Sequence, residues 1–318
     1  MNKPDYFWKN FRLGTEVQVA GTHIYNAIYF LDKLEYLRNE EDIFEFLYNV
    51  SVGIERIQKI AIILLEHNEN VDQEKFEKDL ITHNHLELLN RIKKEKEINF
   101  GKTHKKFLNL TSDFYNSYRY QRFNKSSVYE KNSDKHKFLE FIITELKLEV
   151  NKDYEYIENT KQVKKFLGKC VSKIVCDFYT IVRERAFEIG TFTYEIRYES
   201  KAFKIFTAKQ YTFENENNLK REIIISLINE KGLKDDFTDY IKSITPLNFE
   251  NHNSSYYIKH LFNDINDFSA INDYEYLIDD KQIPKERNEL IKEIGNSHHL
   301  QSDFPESNFL EDILDEEE

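Results

Sequence analysis

Glycine and proline are scarce: 318 residues hold 8 Gly and 4 Pro. All-β folds spend both freely on turns, so their scarcity argues against a sandwich or barrel and for helices with short connections. Cysteine is nearly missing. Cys170 and Cys176 stand six apart, a spacing that fits neither a CxxC metal or redox pair nor a disulfide scaffold. They read as small packing residues on a helical stripe, and the compartment as a reducing cytoplasm. No run of about 18 uncharged apolar residues occurs, and the start MNKPDYFWKNF lacks an apolar stretch, so a soluble protein with no membrane partner is expected. The chain also lacks GxxxxGK[ST], GxGxxG after a strand, HExxH and GxSxG, the starting motifs of nucleotide triphosphatases, Rossmann enzymes, zinc peptidases and α/β-hydrolases. His298 and His299 are adjacent in an acidic background. No metal site and no cofactor follow from these residues.

Apolar residues make up 40% of the chain, enough for one large core or two ordinary ones. The stretch from Asp42 to Leu65 organises the rest. Ile43, Phe46, Leu47, Val50, Ile54, Ile57, Ala61 and Leu64 recur every three or four positions, which predicts a central helix with one continuous apolar stripe. Thr15–Arg38 carries a similar pattern, with Thr15 as N-cap, and the short link 39–42 predicts an antiparallel helical hairpin. Further helices are expected from the start near His85 to about Glu97, over Lys105–Arg122, and over Phe138–Leu148. The polar segment 149–160 reads as a domain boundary. Beyond it a helix restarts at Val163, and 190–206, whose pattern fits either a strand or a helix, is read as helix. Shorter helices follow over Leu219–Glu230, Phe237–Ile244, Ser254–Phe268 and Lys285–Ile294. The expected fold is therefore all-α: a bundle over 1–150, a second helical domain over 151–295, and an acidic, mobile tail over 296–318.

Charge is unevenly spread. The net charge is −12, yet residues 269–318 alone hold 4 basic against 15 acidic residues. Arg91–Lys137 holds 13 basic against 5 acidic, a surplus that suits a nucleic-acid backbone. Lys102, Lys105, Lys106, Tyr120 and Lys125 in that segment are the expected RNA-binding residues. The tail is expected to compete with RNA for this surface as an intramolecular ligand.

Three groups of residues could carry chemistry. Glu55 and Lys59 lie four apart on the central helix and form an expected structural polar cluster. His83 and His85 stand at a helix start, where Asn84 and Glu87 have the spacing of a capping box. They read either as capping and packing residues or as phosphate contacts, and as a poor metal pair, since residues two apart share no helix face. Arg119 and Arg122 project from one face among tyrosines, as a phosphate grip with stacking rings or as a buried network with carboxylates.

The order of these pieces, NVSVGIERIQKI on the second helix of a hairpin, HNHLELLNRI at a later helix start and RYQRF at a helix end, resembles the HEPN superfamily over residues 15–150. That resemblance implies a small helical bundle, commonly a homodimer, acting as a metal-independent ribonuclease in phage defence or beside an antitoxin or other defence partner. Catalytic members carry Arg, four to six residues, then His. No Arg here has a His at that distance, so catalytic groups would come from separate helices: His83 and His85 as acid or base, Arg119 and Arg122 holding charge on phosphate. A non-catalytic dimerisation or interaction scaffold is the alternative reading.

Overall fold

The computed structural model describes residues 3–121, 123–125, 133–149, 155–229, 236–249, 253–262, 269–281, 285–292 and 294–295. Arg122 and the acidic segment 296–318 lie outside the described residues. The fold is all-α. A short helix α1 (Lys3–Phe7) runs through a π-helical turn, Trp8–Arg12, into α2 (Leu13–Lys33). Then come β1 (Tyr36–Leu37), α3 (Glu40–Glu66), α4 (Gln73–Asp79), α5 (His85–Ile92) and α6 (Lys102–Asp113). A second π-helical turn, Phe114–Tyr118, leads to α7 (Arg119–Gln121), followed by α8 (Asp134–Leu146), β2 (Ile157–Glu158) and α9 (Lys161–Glu188). A third, Phe203–Thr207, precedes α10 (Glu214–Asn229). The set closes with α11 (Asp236–Ser243), α12 (Ser254–Phe262), α13 (Ser269–Lys281) and α14 (Lys285–Lys292).

The chain divides into two compact units, Met1–Glu214 and Asn215–Glu318. In the first, α3 is the central element. All eight residues of its expected stripe are buried, and it packs against α2, α5 and α9. Burial of that many aliphatic and aromatic side chains, at about 25 cal/mol per Å² of apolar surface, is what holds the unit together. The hairpin is antiparallel, because Glu16 meets Arg56 while His23, further along α2, meets Asn49, further back along α3. The helices come close where Gly53 faces Ile24 and Ala20: a Cβ there would sit 2.5 Å from Ile24 Cδ1. A small clasp joins distant parts of the chain. β1 pairs antiparallel with β2, Tyr36 opposite Glu158, and the Asn159 amide donates to the carbonyls of Leu31 (2.7 Å) and Leu34 (3.0 Å).

Several expectations need correction. The division falls after Glu214, not in 149–160, because α9 buries Val171, Ile174, Val175 and Phe178 in the core it shares with α3. Thr15 is no N-cap. It lies inside a helical run that starts earlier, and its hydroxyl donates to Phe11 O at 3.1 Å. The helix expected to reach Glu97 ends at Ile92, and the one expected from Lys105 starts at Lys102 behind Gly101. Segment 190–206 is not one helix. Gly190 (φ 68°) ends α9, and turns follow to residue 200. There Thr193 Oγ1 donates to Lys9 O, and Phe192 N donates to Asn10 Oδ1 at 2.9 Å.

The second unit is made of short helices. Tyr257 OH donates to Asp273 Oδ2 at 3.0 Å and Tyr240 OH to Leu290 O at 2.8 Å. Among its described residues Leu277 is the buried apolar side chain. α13 is an element that the sequence pattern had not marked.

Candidate functional site

The site begins with a helix cap. Asn84 Oδ1 accepts from Leu86 N (3.0 Å) and Glu87 N (3.2 Å), an N-cap, while Asn84 Nδ2 donates to Glu87 Oε1 at 3.0 Å. The Asn84 backbone N–H donates to Thr82 Oγ1 at 3.2 Å instead of to Glu87, so the capping box is not closed. Two further bonds fasten this helix start to its neighbours. Gln58 Nε2 on α3 donates to His85 O at 2.9 Å, and His85 N donates to Ser112 Oγ on α6 at 3.2 Å. The turn carrying His83 is thereby held over the polar strip of α3.

His83 and His85 have opposite surroundings. His85 is fully buried, with Nδ1 at 3.2 Å from Thr111 Oγ1. Burial, opposed in part by Glu55, lowers its pKa from 6.5 to about 4, so the ring is neutral at physiological pH. It cannot reach a ligand, and the expected acid or base role does not fit its position. His83 stays about half exposed, with Nδ1 at 2.9 Å from Glu55 Oε2. A carboxylate accepts from Nδ1–H, and in the neutral imidazole that bond leaves the lone pair on Nε2. Among the described residues Nε2 has no hydrogen-bond partner.

Glu55 is itself nearly enclosed and binds on both sides: Lys59 Nζ lies 2.6 Å from its Oε1. Beside the pair stands Tyr115, in the π-helical turn after α6. Its ring meets His83 edge to face at 5.1 Å and lies over His85 at 6.1 Å. Burial, reinforced by the charge of Glu55, raises the Tyr115 pKa. Arg119 lies over the Tyr115 ring at 4.0 Å and over the Tyr120 ring at 4.6 Å, a cation held between two π faces. A π turn inserts one extra residue per turn, and here it brings Tyr115 and Arg119 onto the same polar group.

A cleft of about 340 Å³ opens alongside. Its floor is one face of α3, residues 52, 55, 56, 59, 60 and 63, at helical spacing. Trp8, Leu13 and Glu16 line it too, as do Leu80 and Tyr115. Arg56 donates to Glu16 in this cleft. With its acceptor, cations and aromatic rings, the arrangement can take a proton from a hydroxyl and hold an anion nearby.

No family model, no curated protein and no solved structure matches the chain.

Of the residues singled out by sequence, the structure brings Glu55, Lys59, His83, His85 and Arg119 together. Tyr120 adds an exposed ring beside Arg119, and Lys125 is exposed just beyond. Lys102, Lys105 and Lys106 do not join them. They stand on the first turns of α6, with Lys102 about 20 Å along the helix from Tyr115, and Lys106 pairs with Glu145 of α8 at 2.7 Å. Tyr115, Glu16 and Trp8 escaped the sequence reading. Tyr115 reads as one more inward-facing core residue of its helix, Glu16 reaches the site from the other arm of the hairpin, and Trp8 from the π-helical turn before it. Among the described residues no group of three or more His, Cys, Asp or Glu is placed to hold a metal ion, and no helix is long and apolar enough to cross a membrane.

Proposed function

We propose that the chain is a HEPN-like, RNA-directed protein that cuts RNA without a metal ion, in bacterial phage defence or a toxin–antitoxin module. The observation that carries this reading is the Glu55–His83 pair, which leaves Nε2 of a half-exposed imidazole open, with Lys59 on the other oxygen of Glu55 and Arg119 over the Tyr115 ring that His83 meets. Glu55 fixes the tautomer and stabilises the imidazolium that forms, the role a carboxylate plays behind a general-base histidine. His83 Nε2 takes the proton of a ribose 2′-hydroxyl. The 2′-oxygen bonds to phosphorus and the bond from phosphorus to O5′ breaks. O5′ takes a proton from the Lys59 ammonium, giving a 2′,3′-cyclic phosphate and a 5′-hydroxyl. A water molecule returns the proton from His83 to Lys59. Arg119 holds the negative charge on the phosphate oxygens, and Tyr120 offers a face on which an unpaired base can stack. The protein works as a cytoplasmic homodimer formed through its first unit, restrained by an antitoxin or other defence partner.

The test is cleavage of single-stranded RNA in EDTA by the full chain. His83→Ala should slow it about 100-fold or more while leaving the far-ultraviolet spectrum unchanged. Arg119→Ala should weaken RNA binding and flatten its salt dependence. Intact RNA in every condition would end the ribonuclease reading. The alternative, an interaction scaffold, draws on α10, where Leu219, Ile223, Leu227 and Ile228 are all exposed. A dimer by light scattering together with inert RNA would favour it.

A further inference from the structure

The cleft beside His83 has two kinds of wall. Ile60, Ile63, Leu80 and Trp8 make one part apolar. The Trp8 ring is fixed by the ring of His67, with centroids 4.9 Å apart and planes at 87°. In the other part Arg56 donates to Glu16, so a guanidinium and a carboxylate stand side by side. At about 340 Å³ the cleft lies in the range of small-ligand sites.

Resting on the RNA reading above, we infer that this cleft takes one unpaired guanine base. A flat ring suits the apolar walls, and its edge must then satisfy donors next to acceptors. Guanine places the O6 acceptor beside the N1–H and N2–H donors. Arg56 donates to O6, and the two oxygens of Glu16 accept from N1–H and N2–H. Uracil, cytosine and adenine each offer that carboxylate a single ring or exocyclic group rather than two adjacent ones. Only an unpaired base can present this edge, which makes a single strand or a loop the substrate class. The adjoining ribose and phosphate would then lie toward Lys59, on the same face of α3, and toward His83, which meets Glu55 of that face.

Trp8 is the one tryptophan in the chain, so its emission reports on this cleft and nowhere else. The full chain is titrated with guanosine, adenosine, cytidine and uridine 5′-monophosphates, following Trp8 fluorescence and, in parallel, the heat of binding. The guanine nucleotide should change the emission saturably and bind about tenfold tighter than the others. Glu16→Gln, which keeps the size but loses one acceptor, should remove that preference. Equal affinity for all four nucleotides, or no binding by either readout, overturns the inference. RNA cleavage by the same preparation separates the two ideas. Cutting without nucleotide binding rejects the base pocket and leaves the ribonuclease reading standing. Guanine-selective binding by a chain that cuts no RNA supports the pocket and rejects the ribonuclease.

Discussion

The two sides of α3 differ more from each other than the helix differs from its neighbours. One side, with Ile54, Ile57 and Ala61, is wholly buried against the bundle. The other, a strip through Glu55, Arg56 and Lys59, floors the cleft and carries paired charges. A helix with solvent behind it would place such charges in water. Here Glu55 is almost enclosed, and Lys59 and His83 meet its two oxygens. The difference teaches that one helix can fill a core with one side and hold paired charges at a cleft with the other.

That contrast can be broken or sharpened by four measurements. The largest effect should come from Ile57→Asp, which puts an unpaired carboxylate into a position with no exposure. Its cost of several kcal/mol is a large part of the roughly 5–15 kcal/mol that holds a domain together, so loss of the helical spectrum is expected. A soluble, fully helical variant would show that the two sides are not distinct.

Next is the pH dependence set by His85. Its folded pKa of about 4 lies below its unfolded value near 6.5. The unfolded chain therefore binds the extra proton first, and stability present above pH 6.5 is lost as pH falls toward about 4, at up to about 1.4 kcal/mol per pH unit. Urea midpoints across that window should slope accordingly in the wild type and less steeply in His85→Gln.

Gly53→Ala should be milder. The added methyl meets the buried side chain of Ile24 and lies 3.1 Å from Ala20 O, so the hairpin has to part slightly, for about 1–3 kcal/mol. A lower urea midpoint with an unchanged slope is the expected record. The smallest effect belongs to the cleft side. Arg56→Gln removes a partly exposed ion pair and should cost less than about 1 kcal/mol, whatever it does to ligand binding. A larger loss, seen in the same titration, would mean the strip is part of the scaffold after all.

How much of this could be read from the chain follows from where each partner lies. The stripe of α3 and the Asn84 cap rest on residues within a few positions of each other, and both are found as expected. Glu55 with Lys59 was legible for the same reason. The contact of Glu55 with His83 spans 28 residues and has no periodic signature. The same holds for Thr193 and Phe192, whose hydrogen bonds reach back to Lys9 and Asn10 and override a local pattern that fits a helix or a strand. The π turn at Phe114–Tyr118 was hidden as well, since one residue of slippage leaves the hydrophobic pattern of α6 nearly intact. The boundary expected at 149–160 falls instead after Glu214, because a polar stretch of sequence need not separate two cores.

The clasp between β1 and β2 carries a consequence for the integrity of the molecule. Residues Leu31–Leu37 and Ile157–Asn159 are joined by backbone and Asn159 bonds, and α9 fills the core next to α3, so the two sides of the 149–160 connection share one interior. Cleaving the backbone in that connection would convert an intramolecular core into a subunit interface of the obligate, apolar kind. The two fragments would then behave as a heterodimer held through that interface, and chain continuity at this point would matter for speed of assembly rather than for the final structure.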